Sequence, residues 1–347
     1  MTLEQLIAQI GPADAACAAA AWKRWDAVAK PLRALGVVHI AAMRRNVDVA
    51  LSKRGVVVMC ADNGVVCEGV TQCGSEVTAI VTENMARHDS SVCHMARVAR
   101  AEVFPVDVGV DADLVADGII RHKIARGTRN IACGPAMTRE QATDAILFGA
   151  SLVERLAAQG YDILCTGEMG IGNTTTSSAV AAVLLGRAPA QVTGRGAGLS
   201  SEGLVRKISA IERAIAVNRP DAADPLGVIS TVGGLDLAAL TGVFLGGAYS
   251  HLPIVIDGFI SSVAALAAKR LCPASADYML ASHISGEPAG IMVLNEIGLK
   301  PVICAGMSLG EGTGAVTLLP LLDMAVSVYH DMSTFSEVSI AEYQPLT

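Results

Sequence analysis

Aromatic side chains and charge are both scarce in this chain. Phe, Tyr and Trp supply 3% of its 347 residues, and Asp, Glu, Lys and Arg together only 17%. With 52% of the residues hydrophobic, a disordered chain is excluded and a large buried core is expected. The apolar content comes mostly from Ala, Val and Leu, mixed with 34 glycines, a composition that suits parallel strands covered by close-packed helices. No C-x-x-C pair occurs. The nine cysteines are scattered and odd in number, which excludes a disulfide frame and a cysteine zinc site and points to free thiols in a reducing cytoplasm. There is no stripe of Lys and Arg, and the net charge is −7, so a nucleic-acid surface is not expected. Met1 to Ile10 carries Glu4 and lacks a basic start followed by an apolar core, so it does not read as a signal peptide. The chain also lacks an internal repeat, a low-complexity tract and a Ser/Pro linker.

One long uncharged run is present, Leu237 to Ile256. Its length alone would raise the question of a membrane span. Gly246-Gly247, His251 and Pro253 break it, so the expectation is a buried helix followed by a strand, with no membrane contact. Further strand signals are the apolar runs Gly55 to Cys60, Val103 to Val110, Tyr161 to Cys165 and Pro253 to Ile256. Helical stretches are expected around Leu32, Leu35 and Val38, over Glu76 to Ala99, Ser177 to Leu185 and Glu202 to Val217, after Gly233-Gly234, and over Ala315 to Val328. Strand, loop and helix therefore alternate. The fold class is α/β: a doubly wound, mainly parallel sheet with a small helical subdomain from both chain ends. Residues 1–45 and 325–347 are assigned to that subdomain, and residues 46–324 to a Rossmann-like α/β domain carrying the active site.

The most informative segment is Gly167-Glu168-Met169-Gly170-Ile171-Gly172-Asn173-Thr174-Thr175-Thr176, which links a strand run to a helix run. Glycines let backbone N–H groups approach an anion, and a helix N-terminus adds partial positive charge. The spacing matches neither the nucleotide P-loop nor the dinucleotide G-x-G-x-x-G. A tight turn with a threonine cap would look the same, but Glu168 inside such a turn suggests a task beside the anion. A second cluster, Gly194-Arg195-Gly196-Ala197-Gly198, precedes a helix carrying Lys207, whose ammonium is suited to an anion. Phosphate is expected at 170–174, assisted by Lys207. Asp62 and Asn63 follow a strand run and either line a cleft or close the strand as an Asx turn. Asp107, Asp111 and Asp113 lack the glycine turn and terminal Glu of a calcium loop, and no metal is assigned to them. The loop Arg126 to Asn130 is a substrate contact or a solvated loop. Glu311, in Leu309-Gly310-Glu311-Gly312, repeats the pattern of Glu168. Two carboxylates held by glycine turns suit chemistry in which a sugar carbon becomes cationic and a nucleophile loses its proton.

GEMGIGNTT at 167–175, the loop Gly194 to Gly198 with Lys207, GGLDLAALTG at 233–242, LPIVIDGF at 252–259, SHISGEP at 282–288 and LGEGTGA at 309–315 resemble nicotinate-nucleotide:dimethylbenzimidazole phosphoribosyltransferases. That family serves lower-ligand activation in cobamide (vitamin B12) synthesis. ADNGVVCEGV at 61–70, DVGVDADL at 107–114 and ARGTRNIACGPAMTREQA at 125–142 extend the resemblance over nearly the whole chain. It implies transfer of the 5-phosphoribosyl group of nicotinate mononucleotide to an aromatic acceptor, with inversion and without metal or cofactor. It also implies Glu311 as general base and Glu168 beside the ribose. Gly170, Gly172, Asn173, Thr174 and Lys207 are then phosphate and ribose contacts, and Gly196, Ser285 and Gly310 line the nucleotide. The pattern departs from the family's in the acceptor pocket: Asn63 stands where a His is usual, and Cys73 and Val81 fall where a Ser and a Gln are usual. With Asp62, these residues suggest a benzimidazole-type or phenolic acceptor, and either a homodimer or a heterodimer with a paralogous subunit. A catalytically weak paralogue serving as a structural partner is the alternative.

Overall fold

The computed structural model describes residues 1–30 and 36–343. Six strands, β1 Arg54–Ala61, β2 Ala101–Gly109, β3 Ile120–Arg121, β4 Ile163–Met169, β5 Ile254–Ile256 and β6 Met279–Ala281, form one sheet in the order β3-β2-β1-β4-β5-β6. Every neighbouring pair is parallel. The helices are α1 Leu3–Ala8, α2 Ala15–Ala27, α3 Val37–Arg44, α4 Glu76–Ala86, α5 Ser91–Val98, α6 Arg139–Ala158, α7 Asn173–Leu185, α8 Pro189–Val192, α9 Ser201–Asn218, α10 Pro225–Val232, α11 Leu235–Tyr249, α12 Phe259–Leu271, α13 Gly290–Ile297 and α14 Thr313–Asp331.

The strands are apolar on both sides because both sides are covered. Val57, Met59, Ala61, Val106, Val108 and Leu164 face a core shared with α6, α7, α10, α11 and α12. Val56, Val58, Cys60, Ile163, Cys165 and Val255 face a second core with α3, α5 and α14. The sheet is therefore doubly wound, as expected. The strand order reverses direction between β1 and β4, and the crevice beyond their carboxyl ends is where ligands of such sheets bind.

The uncharged run divides as its glycines suggest. Its first part is α11, buried from Leu235 to Ala248, and its end is β5. A Cβ at Gly242 would lie 1.9 Å from the Ile146 carbonyl oxygen, and one at Gly149 would lie 2.1 Å from that of Ala239. Glycine on both helices lets α6 and α11 cross at backbone distance. The run is thus consumed inside this chain and by itself gives no reason for a subunit contact. Among the described residues no helix is long and apolar enough to cross a membrane.

Several boundaries differ from expectation. The stretch Glu76 to Ala99 is two helices, α4 and α5, parted at His88, whose φ of +60° ends the first. β4 continues through Glu168 to Met169, so Glu168 sits on the strand end and not in the turn. A Cβ at Gly167 would lie 2.3 Å from the Glu311 carbonyl oxygen, so that glycine admits the crossing loop without ending the strand. β3 and β6, of two and three residues, carry too little pattern to be read. Leu32 and Leu35 lie outside the described residues, while Val38 is buried in α3. The chain ends meet. Val28 bridges Thr334 in antiparallel fashion, and Trp25 stacks on Tyr329 with centroids 6.1 Å apart. α1 stays apart from this contact: Leu3 and Leu6 pack into the core shared with α6 and α11.

Candidate active site

Beyond β4 the chain turns at Gly170 and Gly172 and enters α7. Gly172 is the N-cap with φ +93°, a conformation open chiefly to glycine. A Cβ at Gly170 would stand 2.3 Å from the Ala61 carbonyl oxygen, so the turn sits against the end of β1. Across the crevice, Gly310 and Gly312 (φ +74° and +99°) flank Glu311 (φ +60°) and lead into α14. Two helix N-termini, each preceded by a left-handed glycine, thus border one cavity of about 590 Å³. Glu168, Gly170, Asn173, Thr174, Gly196, Ser285 and Gly310 line it.

Lys207 projects from α9 into the wall of this cavity and is completely buried. Its Nζ donates to Thr174 Oγ1 at 2.8 Å and to the Gly194 carbonyl at 3.1 Å. Burial pushes its ammonium down to about 8, opposed by the charge of Glu287. A buried cation beside the first turn of α7 is a strong anion site.

The carboxylates divide into two groups. Glu168 is half-buried and accepts a hydrogen bond from Asn173 Nδ2. The same amide donates to Asp236 at 3.0 Å. Loss of water pushes the Glu168 carboxyl up to about 8; Asp236, Asp257 and Glu311 add to the rise, and Asn173 opposes it. Burial likewise takes Asp236 up to about 6. Glu168 is therefore largely protonated at neutral pH and is a hydrogen-bond donor there. Glu311 turns away from it: its Oε2 accepts the backbone N–H of Val92, in the first turn of α5, at 3.0 Å.

Asp62 and Asn63 are both buried and wire loops together. Asp62 Oδ2 accepts the Asp111 N–H at 2.7 Å, and Asn63 Oδ1 accepts from Thr176 Oγ1 at 3.2 Å. Cys73 is exposed on the loop before α4. Val81 is half-buried on α4 and packs on the second core. None of these four lines the cavity. The loop Arg126 to Asn130 is a brace: Thr128 N donates to the Asp62 carbonyl at 3.1 Å, and Thr128 Oγ1 accepts from Gly64 N at 3.2 Å. Asp107 pairs with Lys123 at 2.8 Å, and Asp111 and Asp113 face Arg126.

Three further residues line the cavity. Asp257, at the end of β5, accepts from Gly312 N at 3.2 Å and Ala315 N at 3.0 Å, and so caps α14. His283 packs beneath Gly314, where a Cβ would meet its ring at 2.0 Å. Glu287 accepts the Gly196 N–H at 2.8 Å. The Asp-Gly after the β5 run was the one available signal for Asp257, being the pattern also seen at Asp62.

An anion cradle and separately tuned carboxylates around one crevice of a doubly wound sheet are the equipment of an α/β group-transfer enzyme acting on a phosphorylated compound. A phosphoribosyltransferase family model matches residues 10–340, and the chain belongs to that family. The nicotinate-nucleotide--dimethylbenzimidazole phosphoribosyltransferase of Acetivibrio thermocellus is 46% identical over 93% of either chain. The protein of the same name from Ruminiclostridium cellulolyticum is 44% identical over the full length of both. Among solved structures, CobT from Thermus thermophilus aligns with a TM-score of 0.89 at 40% identity, covering 94% of this chain and 100% of that one.

Proposed function

We propose that the protein transfers the 5-phosphoribosyl group of nicotinate mononucleotide to an aromatic lower-ligand base, in cobamide synthesis. The observation that carries this reading is one cavity with Thr174, backed by Lys207, on one side, and Glu168 with Gly310, the neighbour of Glu311, on the other. The phosphate lies at the first turn of α7 against Lys207. Protonated Glu168 donates to a ribose oxygen. An acceptor nitrogen or phenolic oxygen attacks C1 from the face opposite nicotinate. The new bond to C1 forms as the C1–pyridine bond breaks, and its electron pair returns to the ring nitrogen. Nicotinate leaves with a neutral ring nitrogen, and the product is the α-riboside 5′-phosphate. The acceptor's proton passes to Glu311, because Glu168 already holds a proton at neutral pH.

The acceptor is a benzimidazole-type or phenolic base; Cys73 and Val81, less polar than a Ser and a Gln, hold the second nitrogen of an azole less well and so lean towards the phenolic one. The work is cytoplasmic and carried out by a dimer, with itself or with a paralogous subunit; exposed Leu321 and Met324, one turn apart on α14, support a paired surface. We assign residues 46–324 to a Rossmann-like domain and residues 1–45 with 325–347 to a small subdomain held by the contact between Trp25 and Tyr329, with α1 reaching across to pack on the larger domain. The test is release of nicotinate from nicotinate mononucleotide, with a panel of azoles, purines and phenols. Acceptor-dependent release with formation of an α-riboside phosphate is expected. No release with any acceptor would reject the reading.

A further inference from the structure

The phosphate side of the cavity holds an acidic group that this reaction does not use. Glu287 lies in the loop after β6. Its Oε1 accepts the Gly196 N–H at 2.8 Å. Its Oε2 is buried without a hydrogen-bond partner among the described residues. Gly194 lies so near that a Cβ there would stand 2.2 Å from that oxygen. Lys207 holds the same glycine segment, through the Gly194 carbonyl at 3.1 Å, and a Cβ at Gly196 would lie 3.5 Å from its Nζ. The carboxylate and the ammonium thus grip one loop between them.

The charges around Lys207 are few. α9 packs on α7, α8, α10 and the short turn Gly64–Glu68. The first three carry no ionisable side chain. The turn brings Cys67 and Glu68, and the Glu68 carboxylate is taken up by Arg213 and Asn130. On α9, Arg206 donates to the Gly69 carbonyl, and Glu202 sits at the exposed first turn. Arg195, on the glycine loop, turns to the Leu199 carbonyl and the Ser201 hydroxyl. Glu287 remains as the acid that faces Lys207.

We propose that Glu287 is a positioning residue of the phosphate site: its carboxylate fixes the Gly194–Gly196 loop and is the resident counter-charge that keeps buried Lys207 protonated until the phosphate of the substrate takes over that role. The inference rests on the phosphate reading given above. An isolated ammonium loses its proton when buried, because desolvation disfavours the charged form. Burial already brings Lys207 down to about 8, and Glu287 acts in the opposite sense. An amide at position 287 would still accept the Gly196 N–H but would carry no charge, so the two parts of the role separate.

The experiment measures dissociation constants of nicotinate mononucleotide and of nicotinate riboside, which lacks the phosphate, from about pH 6 to about pH 9.5. For the native protein, mononucleotide affinity should fall as Lys207 titrates, over and above any change that Glu168, which titrates in the same range, imposes on mononucleotide and riboside alike, so the ratio of the two affinities reads Lys207. In Glu287→Gln the same fall should begin about one pH unit lower, the usual effect of removing one nearby opposite charge, with riboside binding unchanged. Glu287→Asp should bring the fall back towards its native position. A Glu287→Gln profile superimposed on the native one would overturn the proposal, leaving Glu287 as a loop tie only. Should Glu287→Gln not fold, Lys207→Arg decides: arginine keeps its proton, so the alkaline fall of the mononucleotide relative to the riboside should vanish, and its persistence would overturn the proposal. If Lys207→Met bound the mononucleotide like the native protein at every pH, the phosphate site itself would be misassigned and the inference would fall with it.

Discussion

The Glu311 carboxylate accepts the backbone N–H of Val92 at 3.0 Å, joining the loop before α14 to the first turn of α5. Ser90, the N-cap of α5, makes no side-chain cap of its own, so Glu311 serves a helix N-terminus that lacks one. Only Oε2 is used. Oε1 is the oxygen assigned here to the acceptor's proton. Glu311→Gln keeps an oxygen for Val92 and loses the base, so turnover should drop about 10²–10⁴-fold with nucleotide binding retained. Steady-state rates together with nucleotide titration check this. Near-native turnover in Glu311→Gln, joined to a lower melting temperature in Glu311→Ala, would reduce Glu311 to a helix cap.

Lys207→Met should keep the fold, because the methionine side chain is apolar and close in length to the buried stem. It should weaken nicotinate mononucleotide by about 10–100-fold, the effect of one charge-assisted hydrogen bond. Nicotinate riboside should bind both proteins alike. Calorimetric titration of the two ligands separates the cases, and equal losses for both would move the phosphate away from α7.

Stability should fall with rising pH because of Glu168. Its carboxyl is near 8 in the folded protein against an ordinary 4.5, so between those values the folded state binds a proton that the unfolded state has released. The folded state is favoured most below the lower value, and that advantage is lost as pH rises through the upper one. Glu168→Gln removes this share of the dependence and leaves that of Asp236, which burial raises to about 6. Thermal melts at about pH 5 and pH 8 should differ by about 1–3 kcal/mol more in the native protein than in the variant. An equal pH dependence in both would show that Glu168 is ionised throughout.

Much of the architecture was legible because the sheet is buried on both faces. A strand such as Val56 to Cys60 then reads as an unbroken apolar run, and a uniformly buried helix such as α11 is betrayed only by its length and its glycines. β3 and β6 escaped because two or three residues bear no pattern. In the site, glycine turns made Glu168, Glu311 and the 170–174 turn visible, since glycine marks where backbone or ligand must come close. Asp62 and Asn63 looked like cleft residues but are spent on Asp111 N–H and the Thr176 hydroxyl. Strand-end position alone does not say whether a side chain turns outward to the crevice or inward to brace loops. Glu287 lies within SHISGEP without a local pattern that marks its role, because its partners Gly196 and Lys207 lie about 80 to 90 residues away in sequence.

Acceptor choice provides the last prediction. α4 lies beside the phosphate turn: Thr78 Oγ1 accepts the Ile171 N–H at 3.1 Å, and Val81 lies one helical turn further along α4. Val81 is half-buried against the second core, so a glutamine there can keep its stem packed while its amide reaches towards an acceptor. An azole has a second nitrogen to be satisfied and a phenol does not. A site that offers a hydrogen bond discriminates far more strongly than one that only fills space. Val81→Gln should therefore shift the ratio of kcat/KM for a benzimidazole over a phenol upward by about tenfold. Nicotinate mononucleotide binding should stay as it was, and Cys73→Ser should act in the same direction from the loop before α4. Competition between the two acceptors in one reaction measures the ratio directly. An unchanged ratio in both variants would place the acceptor away from α4, and it would do so whatever Glu311→Gln had shown about the base.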